Sequence, residues 1–249
     1  MKITHANQHS WIKSISENLL DNYGKSDRKR INKTLESLEK HGITWEFSIA
    51  NEAFFKWFTP LYTNELESKN SDRIHDVYSK TVGKEGSVLT YKTLTLFENK
   101  TPIGGCVFSC WKDRYSISYR MFKPQWENDS RIASPALFGE YLMDEHTLSN
   151  KKIKLVHGQD RNPYGLFSSI GVANFKLAVG CRARLPVKYD EVTTDIDSLD
   201  QDTLILHLPK FGKEITEATL ILVKNEISKY EQLFSHNTKI HINLIDNQT

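Results

Sequence analysis

Hydrophobic positions recur along this chain with two periods, and the places where the period changes outline its elements. Residues 8–23 set Trp11, Ile12, Ile15, Leu19 and Leu20 at helical spacing, and Gly24 closes the run. A second helix is expected over "DRKRINKTLESLEKHG", capped by Ser26 or Asp27, with Ile31, Leu35 and Leu38 on one face and Gly42 as its stop. "ITWEFSIA" alternates as a strand. Asn51 then caps a helix carrying Phe54, Phe58, Leu61 and Tyr62, which Pro60 should kink or split. Residues 72–82 add a short helix.

The middle of the chain turns to period two. "LTYKTLTLF", "IGGCVFSCW" and "RYSISYRMF", joined by short polar turns, read as an antiparallel meander. Gly104-Gly105 marks a bulge. Ser134 and Pro135 start a helix whose stripe is Leu137, Phe138, Tyr141, Leu142 and Leu148. "KIKLV" returns as a strand. Strand, helix, strand implies a crossover, hence a parallel pair between 114–122 and 152–157. A helix over 166–179 and the strand "CRARLPVKY" follow. Residues 191–201 are acidic and loop-like, and "TLILHLP" and "KIHINLI" are strands. The stretch "EITEATLILVKNEISKYEQLF" between those two has the length and Lys/Glu content of a helix. The layout is α+β with one mixed sheet, an antiparallel meander plus a parallel strand pair, flanked by helices.

Composition narrows the class. The chain has 249 residues, 39% of them apolar, enough for a sizeable core. Lys+Arg number 33 and Asp+Glu 31, so the net charge of +2 gives no global pull toward nucleic acid or membrane. Neither a signal peptide nor a bilayer span is expected. Cys106, Cys110 and Cys181 form no C-x-x-C pair, which fits a reducing, cytoplasmic setting. Cys106 and Cys110 on an apolar strand face read as core residues before nucleophiles. The sequence has no Walker A loop, G-x-S-x-G elbow or G-x-G-x-x-G, and its histidines lack metal-ligand spacing. No metal is expected. The basic run "KSDRKRINK" reads as a solvated helix face, with phosphate contact as the alternative.

The densest chemistry lies in "KLVHGQDRNPYG", Lys154–Gly165. A short strand runs into His157, Asp160, Arg161, Asn162 and Tyr164. Ligands collect where parallel strands end, because side chains of two elements and a helix N-terminus converge there. His157 exchanges protons near neutral pH, Asp160 and Arg161 can pair or bind charged groups, and Tyr164 offers a hydroxyl.

Three segments resemble the GNAT acyltransferase superfamily, in its branch of Fem-type peptidyltransferases and BioF2-like acetyltransferases. They are "SDRKRINKTLESLEKHGITWEF" with the following "FFKWFTPLYTNELESK", then "SPALFGEYLMDEHTLSNKKIKLVHGQD", and "VANFKLAVG", whose Phe175-Lys176 is similar to that branch's recurring Phe-Lys. The likeness covers roughly residues 25–185. It implies transfer of an acyl group to an amine or hydroxyl. The donor would be acetyl-CoA or another acyl-CoA or, in Fem-type relatives, aminoacyl-tRNA. The thioester would enter between strands 114–122 and 152–157, and the donor pyrophosphate would meet the helix N-terminus near Ser134. Many members carry R/Q-x-x-G-x-G/A at that turn. Here "RIASPA" keeps Arg131 and Ala136 but has Ser134 in place of the first glycine.

For such a transfer the chemistry of the polar cluster assigns His157, or Asp160 through a water, as base and Tyr164 as the group protonating a leaving thiolate. Arg131, Ser134, Ala136 and Lys176 would hold the donor, and Arg120, Arg161 and Asn162 the acceptor. The expected reaction is acyl transfer from acyl-CoA to a small cytoplasmic acceptor: an amino sugar, an amino acid or a cell-envelope precursor. The alternatives are an aminoacyl-tRNA-dependent transferase, with residues 25–33 on RNA, and a non-enzymatic GNAT-shaped binding module. A homodimer is compatible with either. Residues 1–45 are read as a helical segment packed on the core, 46–190 as the transferase core and 191–249 as a strand-helix-strand extension.

Overall fold

The structure is a computed structural model, described here for residues 1–68, 76–82, 89–126, 129, 131–223, 226–235 and 238–245. In chain order come strands β1 (Lys2–Ala6) and β2 (Gln8–Ser14), helix α1 (Lys25–Glu36), β3 (Ile43–Ile49) and α2 (Glu52–Ser68). The meander β4 (Tyr91–Glu98), β5 (Thr101–Cys110) and β6 (Arg114–Phe122) leads to α3 (Pro135–Ser149). Strand β7 (Lys154–Arg161), helix α4 (Ile170–Ala178) and β8 (Arg182–Arg184) follow. Last come β9 (Glu191–Asp195), β10 (Thr203–Leu206), β11 (Glu217–Leu222) and β12 (Lys239–Leu244). The chain forms two compact units, one of Ser14–Leu155 and one of Met1–Lys13 with Val156–Thr249.

In the Ser14–Leu155 unit β3, β4, β5 and β6 are consecutive antiparallel neighbours. Asn99 and Lys100, both at positive φ (49° and 65°), make the two-residue turn between the paired Glu98 and Thr101. Such primed turns match the right-handed twist of the flanking strands. The register slips between Leu96 and Phe97, opposite Ile103, so the irregularity sits one residue before the expected Gly104-Gly105. Those glycines answer a different need, since a Cβ on Gly104 would meet the Phe122 backbone and one on Gly105 the Leu94 carbonyl. Phe54, Phe55 and Phe58 of α2 pack with Val107 and Met121 of the sheet. Helix α2 runs unbroken through Pro60. Phe58 stacks on Phe54 at 4.9 Å and on Tyr62 at 5.8 Å, so one aromatic face ties the turns on either side of the proline.

The Ser134 hydroxyl accepts the Leu137 N–H and starts α3, with Pro135 in its first turn. Thr34 of α1 accepts the Ala133 N–H at 2.9 Å, fixing α1 against that start. The Ile153 N–H donates to the Asp113 carbonyl at 3.2 Å within the same unit.

In the other unit β2 lies between β7 and β8, pairing antiparallel with β8. β1 pairs antiparallel with β9, and β11 runs antiparallel to β10 and parallel to β12. The fold is thus α+β with antiparallel and parallel strand pairs mixed.

The structure departs from the sequence pattern at several elements. Residues 8–14 are a strand, and 19–22 a single 3-10 turn, where a helix was expected over 8–23. His9, Trp11 and Lys13 alternate inward, and the slot between two strands decides the conformation. The terminal helical segment of 1–45 is therefore only α1, preceded by two strands. Residues 191–195 pair with β1 as a strand rather than forming a loop. The stretch expected as one helix after Pro209 splits into β11 and a 3-10 segment, Ile227–Ser235. Its run Ala218–Leu222 is buried throughout, as suits the middle strand of three. Of the helix expected at 72–82, residues 72–75 lie outside the described residues and 77–82 form turns.

Candidate active site

Three elements and a turn of the Met1–Lys13 and Val156–Thr249 unit converge on one buried polar cluster. β7 brings Asp160, the turn after it Tyr164, α4 Lys176, and β2 His9 and Trp11. Burial alternates along β7 through Leu155 and His157, then the parity changes. Gly158 sits at φ +77°, a left-handed conformation that a residue with a Cβ resists. The break lets His157 and Asn162, of opposite parity, both be buried. Helix α4 is capped by Ser169, which accepts the Gly171 N–H, and buries Ile170, Ala173, Lys176 and Leu177 on one side.

The centre of the cluster is Asp160 Oδ2. It accepts from Lys176 Nζ at 2.7 Å, the Tyr164 hydroxyl at 2.7 Å and Trp11 Nε1 at 2.9 Å. Lys176 Nζ also donates to the His157 carbonyl at 3.2 Å and lies 5.8 Å above the Trp11 ring. The pair is desolvated, with side-chain exposures of 6% for Lys176 and 15% for Asp160. Burial pushes the Asp160 carboxyl up, but the Lys176 charge and the hydrogen bonds of Lys176 and Tyr164 bring it below its ordinary value. Burial, then Asp160, holds the Tyr164 hydroxyl well above the usual phenol range, so it stays protonated.

His9 completes the arrangement. Its Nε2 lies 2.7 Å from the Tyr164 oxygen, whose one proton is given to Asp160. Nε2 therefore carries the ring proton and donates it, which fixes the tautomer. Burial drives the His9 ring down to about 3 against the pull of Asp160, so it is neutral at ordinary pH. His9 Nδ1 is buried and has no hydrogen-bond partner among the described residues.

The structure brings Asp160, Tyr164 and Lys176 together in one hydrogen-bonded cluster. His157 joins them through its carbonyl, and its ring is buried. Asn162 serves the fold: Oδ1 accepts the Leu206 N–H at 3.1 Å, and Nδ2 donates to the carbonyls of Leu206 at 2.8 Å and Ala6 at 3.1 Å. Its amide is occupied in tying strands rather than offered to an acceptor. The Arg161 side chain reaches out and stands 5.6 Å over the Phe167 ring.

Arg120, Arg131, Ser134 and Ala136 belong to the Ser14–Leu155 unit. Arg120 faces the buried Glu140 at 3.5 Å. Arg131 is exposed and doubly bonded to Asp129, at 3.0 and 3.2 Å. Cys106 is buried, and burial with the nearby Glu140 pushes its thiol up to about 12, which removes it as a nucleophile at neutral pH. The cluster residues His9 and Trp11, which share the inward face of β2 with the fully buried Lys13, were missed in the sequence. Their signal was period-two spacing, obscured because two of the three inward residues are polar.

This is an α+β fold of the GNAT-like kind. Among solved structures it is similar to FemX, with a TM-score of 0.55 and 12% identity over 74% of this chain and 61% of that one. The chain thus spans about three fifths of the FemX chain. Also similar are the C-terminal domain of a putative lysylphosphatidylglycerol synthetase from Agrobacterium fabrum (TM-score 0.47, 9% identity) and L-PGS from Bacillus licheniformis (0.46, 10%). Each of these two matches 77% of this chain and 60% of its own. No protein-family model matches the sequence, and no curated protein does.

Proposed function

We propose that this chain is a transferase that moves an acyl or aminoacyl group from an activated carrier to an amine or hydroxyl of a small acceptor. The observation that carries the reading is the buried Lys176–Asp160 pair at the end of β7, in a fold shared with FemX. When an amine or hydroxyl adds to an activated carbonyl, negative charge collects on the carbonyl oxygen. A cation held in a poorly solvated site stabilises that charge far better than the same cation in water. Lys176 takes that role. Asp160 and the His157 carbonyl aim the ammonium, and Tyr164, Trp11 and His9 fix Asp160. A carboxylate held below its ordinary range is a weak proton acceptor, so His157 is assigned as the base. Tyr164, fully buried and committed to three side chains, positions Asp160 and does not serve as the acid for the leaving group.

The carrier is read as an aminoacyl ester in preference to acyl-CoA. A pyrophosphate at the start of α3 needs free backbone donors. Pro135 has no N–H, the Leu137 N–H is taken by Ser134, and Arg131 is held by Asp129. The engaged Leu137 N–H and Arg131 support a carrier other than CoA.

The test offers the purified chain labelled acetyl-CoA and labelled aminoacyl-tRNA, each with a panel of amino sugars, amino acids and envelope precursors. Label should move from the aminoacyl ester to an amine acceptor, and His157→Ala should lower that turnover at least about tenfold. Transfer from neither carrier overturns the transferase reading. Transfer from acetyl-CoA alone overturns the choice of carrier.

A further inference from the structure

A second feature of the same unit points to a surface partner. The Leu185 N–H donates to the Lys213 carbonyl at 2.8 Å and the Ile215 N–H to the Ala183 carbonyl at 2.9 Å, with Arg184 and Glu214 bridged between them. At one end of this short antiparallel ladder both strands run on past the Leu185–Lys213 bond. Val187 lies two residues past Leu185, and Phe211 two residues before Lys213, so both leave the last ladder bond from the same end. Phe211 is 92% exposed and Val187 88%, the highest values among the exposed large apolar side chains described. Gly212, at φ +67° with open space around it, turns the chain beside Phe211.

A single exposed apolar residue is ordinary on a protein surface. Here a phenylalanine and a valine both follow the same end of the ladder, within a basic setting. Segments 182–188 and 209–217 carry Arg182, Arg184, Lys188, Lys210 and Lys213 against Glu214 and Glu217. Both glutamates are engaged, Glu214 with Arg182 and Glu217 with Lys210, each at 2.9 Å. We propose that this end of the ladder docks on an anionic lipid bilayer, with Phe211 and Val187 entering the interfacial zone and Lys188 and Lys213 against the headgroups. Apolar tips flanked by lysines bind such surfaces by two additive contributions, burial and charge. A nucleic-acid backbone would use the lysines but gain nothing from an exposed valine. The inference stands apart from the transferase reading, because none of these residues belongs to the Lys176 cluster.

The test sediments the full chain with vesicles of phosphatidylcholine alone and of phosphatidylcholine mixed with phosphatidylglycerol. Binding is expected on the mixed vesicles only, weakening as salt rises. Phe211→Ser combined with Val187→Ser should lower the bound fraction about tenfold, as should Lys188→Glu with Lys213→Glu. All four residues are exposed, so both variants should keep the parent's unfolding midpoint. No binding to mixed vesicles, equal binding to neutral ones, or equal binding by the Phe211 and Val187 variant overturns the proposal. So does self-association through this end without vesicle binding, which would assign it to a second copy.

Discussion

Lys176 Nζ and Asp160 Oδ2 lie 2.7 Å apart in a nearly dry site, sixteen residues apart along the chain and on different elements. Neither charge is in place by itself. Asp160 is fixed by Trp11 and Tyr164, and Lys176 by the His157 carbonyl. The pair is therefore a structural commitment of β2, β7 and α4 together, with measurable consequences.

Lys176→Met leaves a buried carboxylate without its cation. Removing one partner of a buried pair costs roughly 3–5 kcal/mol. The urea midpoint should fall accordingly, and acyl transfer should drop about a hundredfold or more. Lys176→Arg restores the charge but not its compact shape, so it should recover more stability than turnover. An unchanged midpoint in Lys176→Met would show that the pair does not hold this unit together.

Acid should loosen the same unit. His9 titrates near 3 when folded and near its ordinary 6.5 when unfolded, so between those values unfolding takes up a proton. Its contribution is complete above about 6.5 and is lost as pH falls toward 3, at up to about 1.4 kcal/mol per pH unit. Asp160, also depressed, adds stability that disappears at lower pH, as it protonates through its folded value. Urea unfolding between pH 7.5 and 5 should therefore show a steeper loss for the parent than for His9→Phe. Parallel slopes in the two proteins would contradict the burial of a neutral His9.

Asn162→Ala should destabilise without touching chemistry directly. It leaves the Leu206 N–H, the Leu206 carbonyl and the Ala6 carbonyl without the amide that serves them. Buried polar groups stripped of partners cost about 1–3 kcal/mol each, so a loss of roughly 2–4 kcal/mol is expected. Chemical denaturation measures it directly. A change under about 0.5 kcal/mol, typical of surface substitutions, would mean the ties are not made.

The three cysteines should react in a set order. Cys106 and Cys181 are buried and Cys110 is partly open. In the folded protein a small alkylating reagent at pH 8 should label Cys110 first, as read by peptide mass spectrometry. Early labelling of Cys106 would contradict a thiol held near 12.

The sequence determined the elements whose period is carried by apolar residues or set by local chemistry. The meander β4 to β6, the capped start of α3 at Ser134-Pro135 and the pairing of Phe175 with Lys176 on a helix were legible because each rests on neighbours within a few residues. So was the polar character of β7's end. Tertiary structure decided the rest. β2 looks helical by its apolar spacing, yet it is a strand because its buried face is His9, Trp11 and Lys13, and two of those residues are hidden from any hydrophobic count. β11 carries Lys/Glu-rich flanks, yet its apolar centre is the middle strand of three. The site itself needed the fold most. Asp160 meets Lys176, Tyr164 and Trp11 only because Gly158 breaks the strand's alternation and β2, distant in sequence, lies beside β7. Local propensity names the residues that can be charged; burial by distant segments decides which of them are held together.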